Sequence, residues 1–294
     1  SMVLVLGVTN PQNVKYAVEN NVSLTCPSKA WLEKCLEEME TIKGKLKIHV
    51  KIETGMGRIG TSDKEELVKI DKLLSSEKID FEGIFSHYSN ADGSDNNYDD
   101  YQTKNFDERI KLFTHKPKYI HIGNSASTVK YSDRQDQYNM TRLGISLYGC
   151  YPSENIEKLD KINLDPVVSL VSKITHVKKF LKGEKLGYGI SYEAKEDEYI
   201  ATVPIGYADG ILRRAQGFKI KVGSEDCEIV GRVCMDQLMV RCSENIKVGD
   251  DVLIFGENNG QKISVDDFAA YQDTISYEIF CCINKRVPRV YYKK

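Results

Sequence analysis

Along the first half of the chain, short runs that are apolar or alternate apolar with polar give way repeatedly to apolar residues at helical spacing. Val3-Leu-Val-Leu6 predicts a strand, and Thr9-Asn-Pro11 opens a helix through Val14 and Ala17. Val22-Ser-Leu-Thr-Cys26 predicts a second strand. Pro27-Ser28 then starts a helix whose Trp31, Leu32, Cys35, Leu36 and Met39 share one face. The alternating run from Lys45 to Val50 is a third strand. Ser62 with Glu65 reads as a capping box for a helix carrying Leu67, Ile70, Leu73 and Leu74. Phe81 to His87 holds a fourth strand, followed by a helix with Phe106, Ile110 and Phe113. Tyr119 to Gly123 is a fifth, Asn124-Ser125 cap the next helix, and Met140 to Ile145 is a sixth. Strand-then-helix units in this rhythm imply right-handed parallel crossovers. A complete (β/α)8 barrel has eight such units in about 250 residues. Residues 1–163 therefore read as an incomplete (β/α)8, TIM-type barrel of about six units.

The texture changes near Asn163-Leu-Asp-Pro166, where helical spacing fades. Val167–Lys178, Tyr199–Pro204, Phe218–Val222, Asp226–Val230, Val233–Val240 and Val252–Phe255 read as strands between glycine turns. Residues 164–294 are thus expected to form a second, mostly β domain, making the fold class α/β plus β.

Composition narrows the partners. Apolar residues are 41%, charged residues 29%, and the net charge is -2. That balance suits a globular protein and gives no electrostatic case for nucleic acid or an anionic membrane. No apolar run approaches a membrane span, and Val3–Leu6 is too short for a secretory signal. Eight cysteines without metal-ligand spacing read as reduced thiols in a cytoplasmic protein, so no metal is expected. The acidic stretch from Asp92 to Asp100 lacks an EF-hand glutamate, since its twelfth position is Thr103.

The chemistry concentrates at predicted strand ends. Lys51-Ile-Glu-Thr-Gly-Met-Gly-Arg58-Ile-Gly60 is a strand end, a glycine-rich turn and a helix start, the rim where a barrel does its work. Arg58 on that turn is placed to grip a carboxylate. His87 ends the fourth strand, Asn124-Ser125 offer helix N–H groups to a phosphate, and Arg142-Leu-Gly-Ile145 ends the sixth. Later, Gly187-Tyr188-Gly189 and Gly206-Tyr207-Ala208 set tyrosines between small residues, and Cys234-Met235-Asp236 is expected mid-strand. Taken singly, each has a plain structural reading: a cap, an ion pair or aromatic packing at a turn.

Together, KIETGMGRIG, GIFSHYSNAD, HIGNSAS, TRLGISLYG, GYGISYEA, VPIGYADGILRR, GRVCMDQLMV and a late SYE, in this order, resemble bacterial alanine racemase over essentially the whole chain. The resemblance implies a pyridoxal 5'-phosphate barrel, a C-terminal β domain and a head-to-tail homodimer with a shared active site. It implies that Ser125, Gly144, Ile145 and Tyr277 hold the cofactor phosphate and that Arg142 faces the pyridine nitrogen. Tyr188 would be a catalytic base reaching the other subunit's barrel. His87 and His121 would lie in the network with Arg142, beside Asn124. Arg58 would face the substrate carboxylate, oriented by a carbamylated Lys51. Met235 and Tyr207 would line the substrate pocket, with Asp92, Arg213 and Arg232 along its access corridor. The substrate would be alanine, supplying D-alanine for peptidoglycan. Alternatives are a serine racemase of the vancomycin-resistance type and a non-catalytic pyridoxal-phosphate-binding barrel.

Racemisation needs two acid–base groups on opposite faces of a planar carbanion. A tyrosine, with an unperturbed pKa of about 10, needs cationic neighbours to act near neutrality. The family's second base is the lysine that also carries the cofactor, in a run like Lys-Ala-Asn-Ala-Tyr-Gly-His-Gly. These 294 residues contain no such run, and the match begins at the family's third barrel strand. Either the chain is a truncated product or two barrel units precede this stretch; if the 294 residues stand alone, they are expected to turn over little or no alanine.

Overall fold

The computed structural model describes residues 2–132 and 138–292. The chain forms two units, one of residues 1–147 with 151–163, the other of residues 148–150 with 164–294.

In the first unit, five strands pair in parallel in chain order: β1 (Val3–Val5), β2 (Val22–Cys26), β3 (Leu46–Lys51), β4 (Ile79–Phe85) and β5 (Tyr119–His121). Between them run α1 (Val14–Glu19), α2 (Lys29–Glu38), α3 (Lys64–Leu73) and α4 (Asn97–Ile110), and α5 (Ser125–Lys130) follows β5. α6 (Glu154–Glu157) is one short turn. The expected apolar faces close the core: Leu32, Cys35 and Met39 join Leu67, Ile70 and Phe106, all wholly buried with the strand residues Ile48 and Val50. The result is a half-barrel sheet with helices on one face.

Two expectations need correction here. The α3 cap is Asp63, whose carboxylate accepts from the Glu65 amide at 2.9 Å, so the helix starts one residue later than Ser62 implied. Residues 140–145 form no sixth strand. The side chain of Asn139 accepts from the Ile120 amide at 2.8 Å and donates to the Lys118 carbonyl at 2.8 Å. A side-chain amide thus takes the edge of β5 where a strand would pair, and Arg142 adds one backbone bond, to Gly123.

The second unit is built on an eight-stranded sheet. β6 (Leu170–Lys173), β7 (His176–Phe180), β10 (Glu198–Val203), β11 (Lys219–Val222), β12 (Glu225–Val230), β13 (Leu238–Cys242), β14 (Asp251–Asn258) and β15 (Gln261–Ile263) pair antiparallel. β8 (Lys185–Leu186) and β9 (Tyr192–Glu193) make a separate hairpin. Helical periodicity returns at the end, with α7 (Val265–Tyr271) and α8 (Ser276–Cys282). Phe268 of α7 packs on Phe255 and Phe218. Cys234, Met235 and Asp236 precede β13 in a turn instead of lying inside a strand. Asp236 is half-exposed and ion-paired with Arg286.

Candidate active site

β3 ends in Lys51, which is 2% exposed. Strand alternation puts Lys47, His49 and Lys51 on one face. The Lys51 ammonium donates to the Ile52 carbonyl at 2.8 Å, lies 5.8 Å from the Phe85 ring centroid and has no ion-pair partner among the described residues. Burial pushes its pKa down to about 8, and the charges of Arg142 and Arg58 push the same way against Glu53. Burial alone would raise the Glu53 carboxyl, but the amides of Gly55 and Gly57 hold it below its usual value. Arg58 itself is exposed on the glycine turn.

Arg142 is the hub of the first unit. Its Nη1 donates to His121 Nδ1. Its Nη2 donates to His87 Nδ1 at 3.0 Å, to the Ser86 carbonyl at 2.8 Å and to the Ile122 carbonyl at 3.2 Å. None of these bonds uses Nε. Burial and the neighbouring Arg58 lower its pKa to about 10, so it stays charged at neutral pH. Burial and then Arg142 push His87 down to about 4 and His121 down to about 2. Both imidazoles are therefore neutral near pH 7 and offer Nδ1 lone pairs to the arginine.

His87 lies two residues past β4 and is held from α4. The fully buried Gln102 donates to the His87 carbonyl at 2.9 Å and accepts from the Ser89 amide at 2.9 Å. Asn124 caps α5 reciprocally with Ser127, so one amide of the expected phosphate cradle is already occupied. Ser125 Oγ accepts from the Gly144 amide at 2.8 Å and keeps its own O–H free of any described bond. Beside Gly144 and the buried Ile145, the Ser146 hydroxyl is buried without a partner among the described residues. A free hydroxyl donor, an orphaned hydroxyl and an unused guanidinium N–H fit an anionic phosphate and a ring nitrogen acceptor. Asp92 is exposed, and its carbonyl accepts from Ser153 Oγ at 2.7 Å.

The second unit holds the remaining expected residues, four of them in two groups. Tyr188, 71% exposed, stands in a turn with positive φ at Gly187, Gly189 and Ile190. The Arg232 guanidinium lies against Gly189, where a Cβ would meet Nη1 at 2.7 Å. In the other group, the Tyr207 amide donates to the Cys234 carbonyl and the Ala208 amide to the Met235 carbonyl, both at 3.0 Å. Arg286 ties the two loops by pairing with Asp209 at 2.6 Å and with Asp236. Arg213 lines a cleft with Tyr192 and Tyr271. Tyr277 stands on α8.

Sequence reasoning missed Gln102, His49 and Glu82. Alternation with Lys51 was the available signal for His49. The missed pair completes a buried file: His121 Nε2 lies 2.9 Å from His49 Nδ1, and His49 Nε2 lies 3.2 Å from Glu82 Oε2.

Comparison with known proteins gives this geometry its class. The family model for the alanine racemase N-terminal domain matches residues 1–152, and that for the C-terminal domain matches residues 167–291. Alanine racemase of Lactobacillus gasseri is 41% identical over 99% of this chain and 78% of its own length. That of Anoxybacillus flavithermus is 42% identical over 99% of this chain and 75% of its own. The crystal structure of alanine racemase from Bacillus anthracis with bound L-Ala-P superposes with a TM-score of 0.95 at 36% identity, covering 100% of this chain and 76% of that one. A histidine racemase from Leuconostoc mesenteroides has a TM-score of 0.89 at 27% identity, covering 99% of this chain and 78% of its own. The half-barrel with its arginine–histidine hub, in a chain that also carries an antiparallel unit, is therefore that of a pyridoxal-phosphate-dependent racemase, an isomerase. Within that class, the chain belongs to the alanine racemase family. Among the described residues, no helix is long and apolar enough to cross a membrane.

Proposed function

We propose that this protein interconverts L- and D-alanine in the cytoplasm, as a homodimer, and supplies D-alanine for peptidoglycan. The observation that carries the reading is Arg142, held by two neutral histidines and two carbonyls, with Nε unused among the described residues. Bound pyridoxal phosphate supplies an electron sink that acidifies the α-carbon of the amino acid. On the family resemblance, Ser125, Gly144, Ile145 and Tyr277 would hold its phosphate, and Arg142 would donate to its ring nitrogen. A guanidinium would keep its own proton there and leave the nitrogen unprotonated. Arg58 orients the substrate carboxylate. The second copy of the chain supplies Tyr188 to hold or take the α-proton on one face, with Met235 and Tyr207 limiting side-chain volume. Asp92, Arg213 and Arg232 border the route in. The relatives named alanine racemase support the substrate, whereas the histidine racemase neighbour bars reading substrate from fold alone.

The test is racemisation of L-alanine and L-serine by a full-length protein that carries these residues together with the cofactor-bearing lysine, loaded with pyridoxal phosphate. Alanine should be turned over with the higher kcat/KM. Tyr188→Phe should unfold as wild type does, because the ring is exposed, yet lose roughly 10²–10⁴-fold in turnover. A preference for serine, or a fully active Tyr188→Phe, would refute the reading.

Lys51 carries a second prediction. A buried amine with a pKa of about 8 and no ion-pair partner among the described residues is set up to add carbon dioxide, and the resulting carbamate would pair with Arg58. Only the neutral amine reacts. At fixed bicarbonate, a 13C carbamate signal should grow as pH rises through about 8 and then level off. The signal should vanish in Lys51→Gln. A pH-independent signal, or one that survives the substitution, would assign the carbamate elsewhere.

A further inference from the structure

The file behind Arg142 is polar, buried and directional. Arginine only donates, so His121 Nδ1 must accept from it and His121 must carry its proton on Nε2. That proton points at His49 Nδ1, 2.9 Å away, which fixes His49 as the Nε2–H form as well. His49 then donates to Glu82 Oε2 at 3.2 Å. Ser23 donates to the same carboxylate oxygen, and Lys47 lies 3.6 Å from the other. Ser23, His49 and His121 are wholly buried and Glu82 is 8% exposed.

The local fold is bent to build this file. Ile48 pairs with Phe81 but His49 pairs with Gly83, so a bulge skips Glu82. Phe81 packs on Phe113 and Ile84 joins the same apolar core, while Glu82, out of turn, faces His49. Bulges re-aim single side chains in this way, commonly beside active sites. Gly83 clears the path: a Cβ there would sit 2.1 Å from His49 Nδ1. A carboxylate in such a place costs desolvation. A sheet built only for stability would keep the regular ladder and an apolar residue.

We propose that Glu82 and His49 are positioning residues for the racemase reaction, holding His121 in one tautomer and thereby Arg142 in one orientation toward the cofactor ring. The inference rests on the reading of Arg142 as the partner of the ring nitrogen. Glu82 moves no proton in turnover. Its charge polarises the two imidazoles in series, and their fixed tautomers present a lone pair to Nη1.

The test uses Glu82→Gln, which keeps shape and an acceptor but removes the charge. In the cofactor-free protein labelled with 15N-histidine, wild type should show protonated Nε2 and unprotonated Nδ1 at both His49 and His121. Glu82→Gln should shift the nitrogens of His49 and, through it, of His121, and leave those of His115, which is bonded to Asp71, unmoved. In the loaded enzyme, kcat should fall roughly 10–100-fold with KM for alanine little changed, and the visible band of the cofactor should move. Unmoved His121 nitrogens, or unchanged kcat with a perturbed His121, would overturn the proposal and leave Glu82 as a structural clamp. Failure of the underlying reading looks different: Arg142→Lys would then leave the cofactor band where it was, whatever Glu82→Gln did to His121.

Discussion

Replacing Arg142 with alanine is expected to cut racemisation by about a thousandfold and to destabilise the first unit by roughly 3–5 kcal/mol. On the proposed reading, the rate term would come from losing a fixed cation beside the ring that takes up charge in the transition state. The stability term comes from the partners left behind. His87 and His121 lose the donor to their Nδ1 atoms, and the Ser86 and Ile122 carbonyls lose a donor each. Buried acceptors without donors cost about 1–3 kcal/mol apiece, less than additively here because they share one site. Arg142→Lys restores charge but not the fork, since one ammonium cannot span two imidazoles and two carbonyls. It should recover part of the stability and little of the rate. Steady-state kinetics with a urea titration separates the two terms. Full activity in Arg142→Ala would remove the hub from the mechanism.

Gly83→Ala is expected to cost roughly 2–4 kcal/mol in the first unit alone. The added Cβ would meet His49 Nδ1 at 2.1 Å and Cε1 at 2.3 Å. The ring has no room to withdraw. It stacks on Tyr119 at 6.1 Å between centroids and meets Phe85 and His121 edge-on. Trp31, the only tryptophan in the chain, packs in this unit's core, so its fluorescence follows this unit without interference from the other. The urea midpoint should fall with the slope unchanged. An unshifted midpoint would mean that His49 can leave its place in the file at little cost.

The parallel strands and their helices were legible because each is a local period: alternation in β3, helical spacing in α2 and α3. Those periods come from burying one face of an element, and they are written in adjacent residues. The family resemblance likewise came from ordered motifs, and the matching family models confirm it. What eluded reading depends on neighbours distant in sequence. Residues 140–145 have strand-like composition, yet the edge they would join is taken by the Asn139 side chain. Cys234–Asp236 looked like strand interior, yet backbone bonds to Tyr207 and Ala208 fold it into a turn.

Glu82 is the sharpest case. By simple alternation it shares a face with Ile84, and only the bulge against β3 turns it to His49. Composition and period settled which segments would be strands, which helices, and which family the motifs belong to. The facing of a single carboxylate, and with it the hydrogen-bonding state of Arg142, was decided when β3 and β4 paired out of step. Register is a property of two strands together and is encoded in neither one alone.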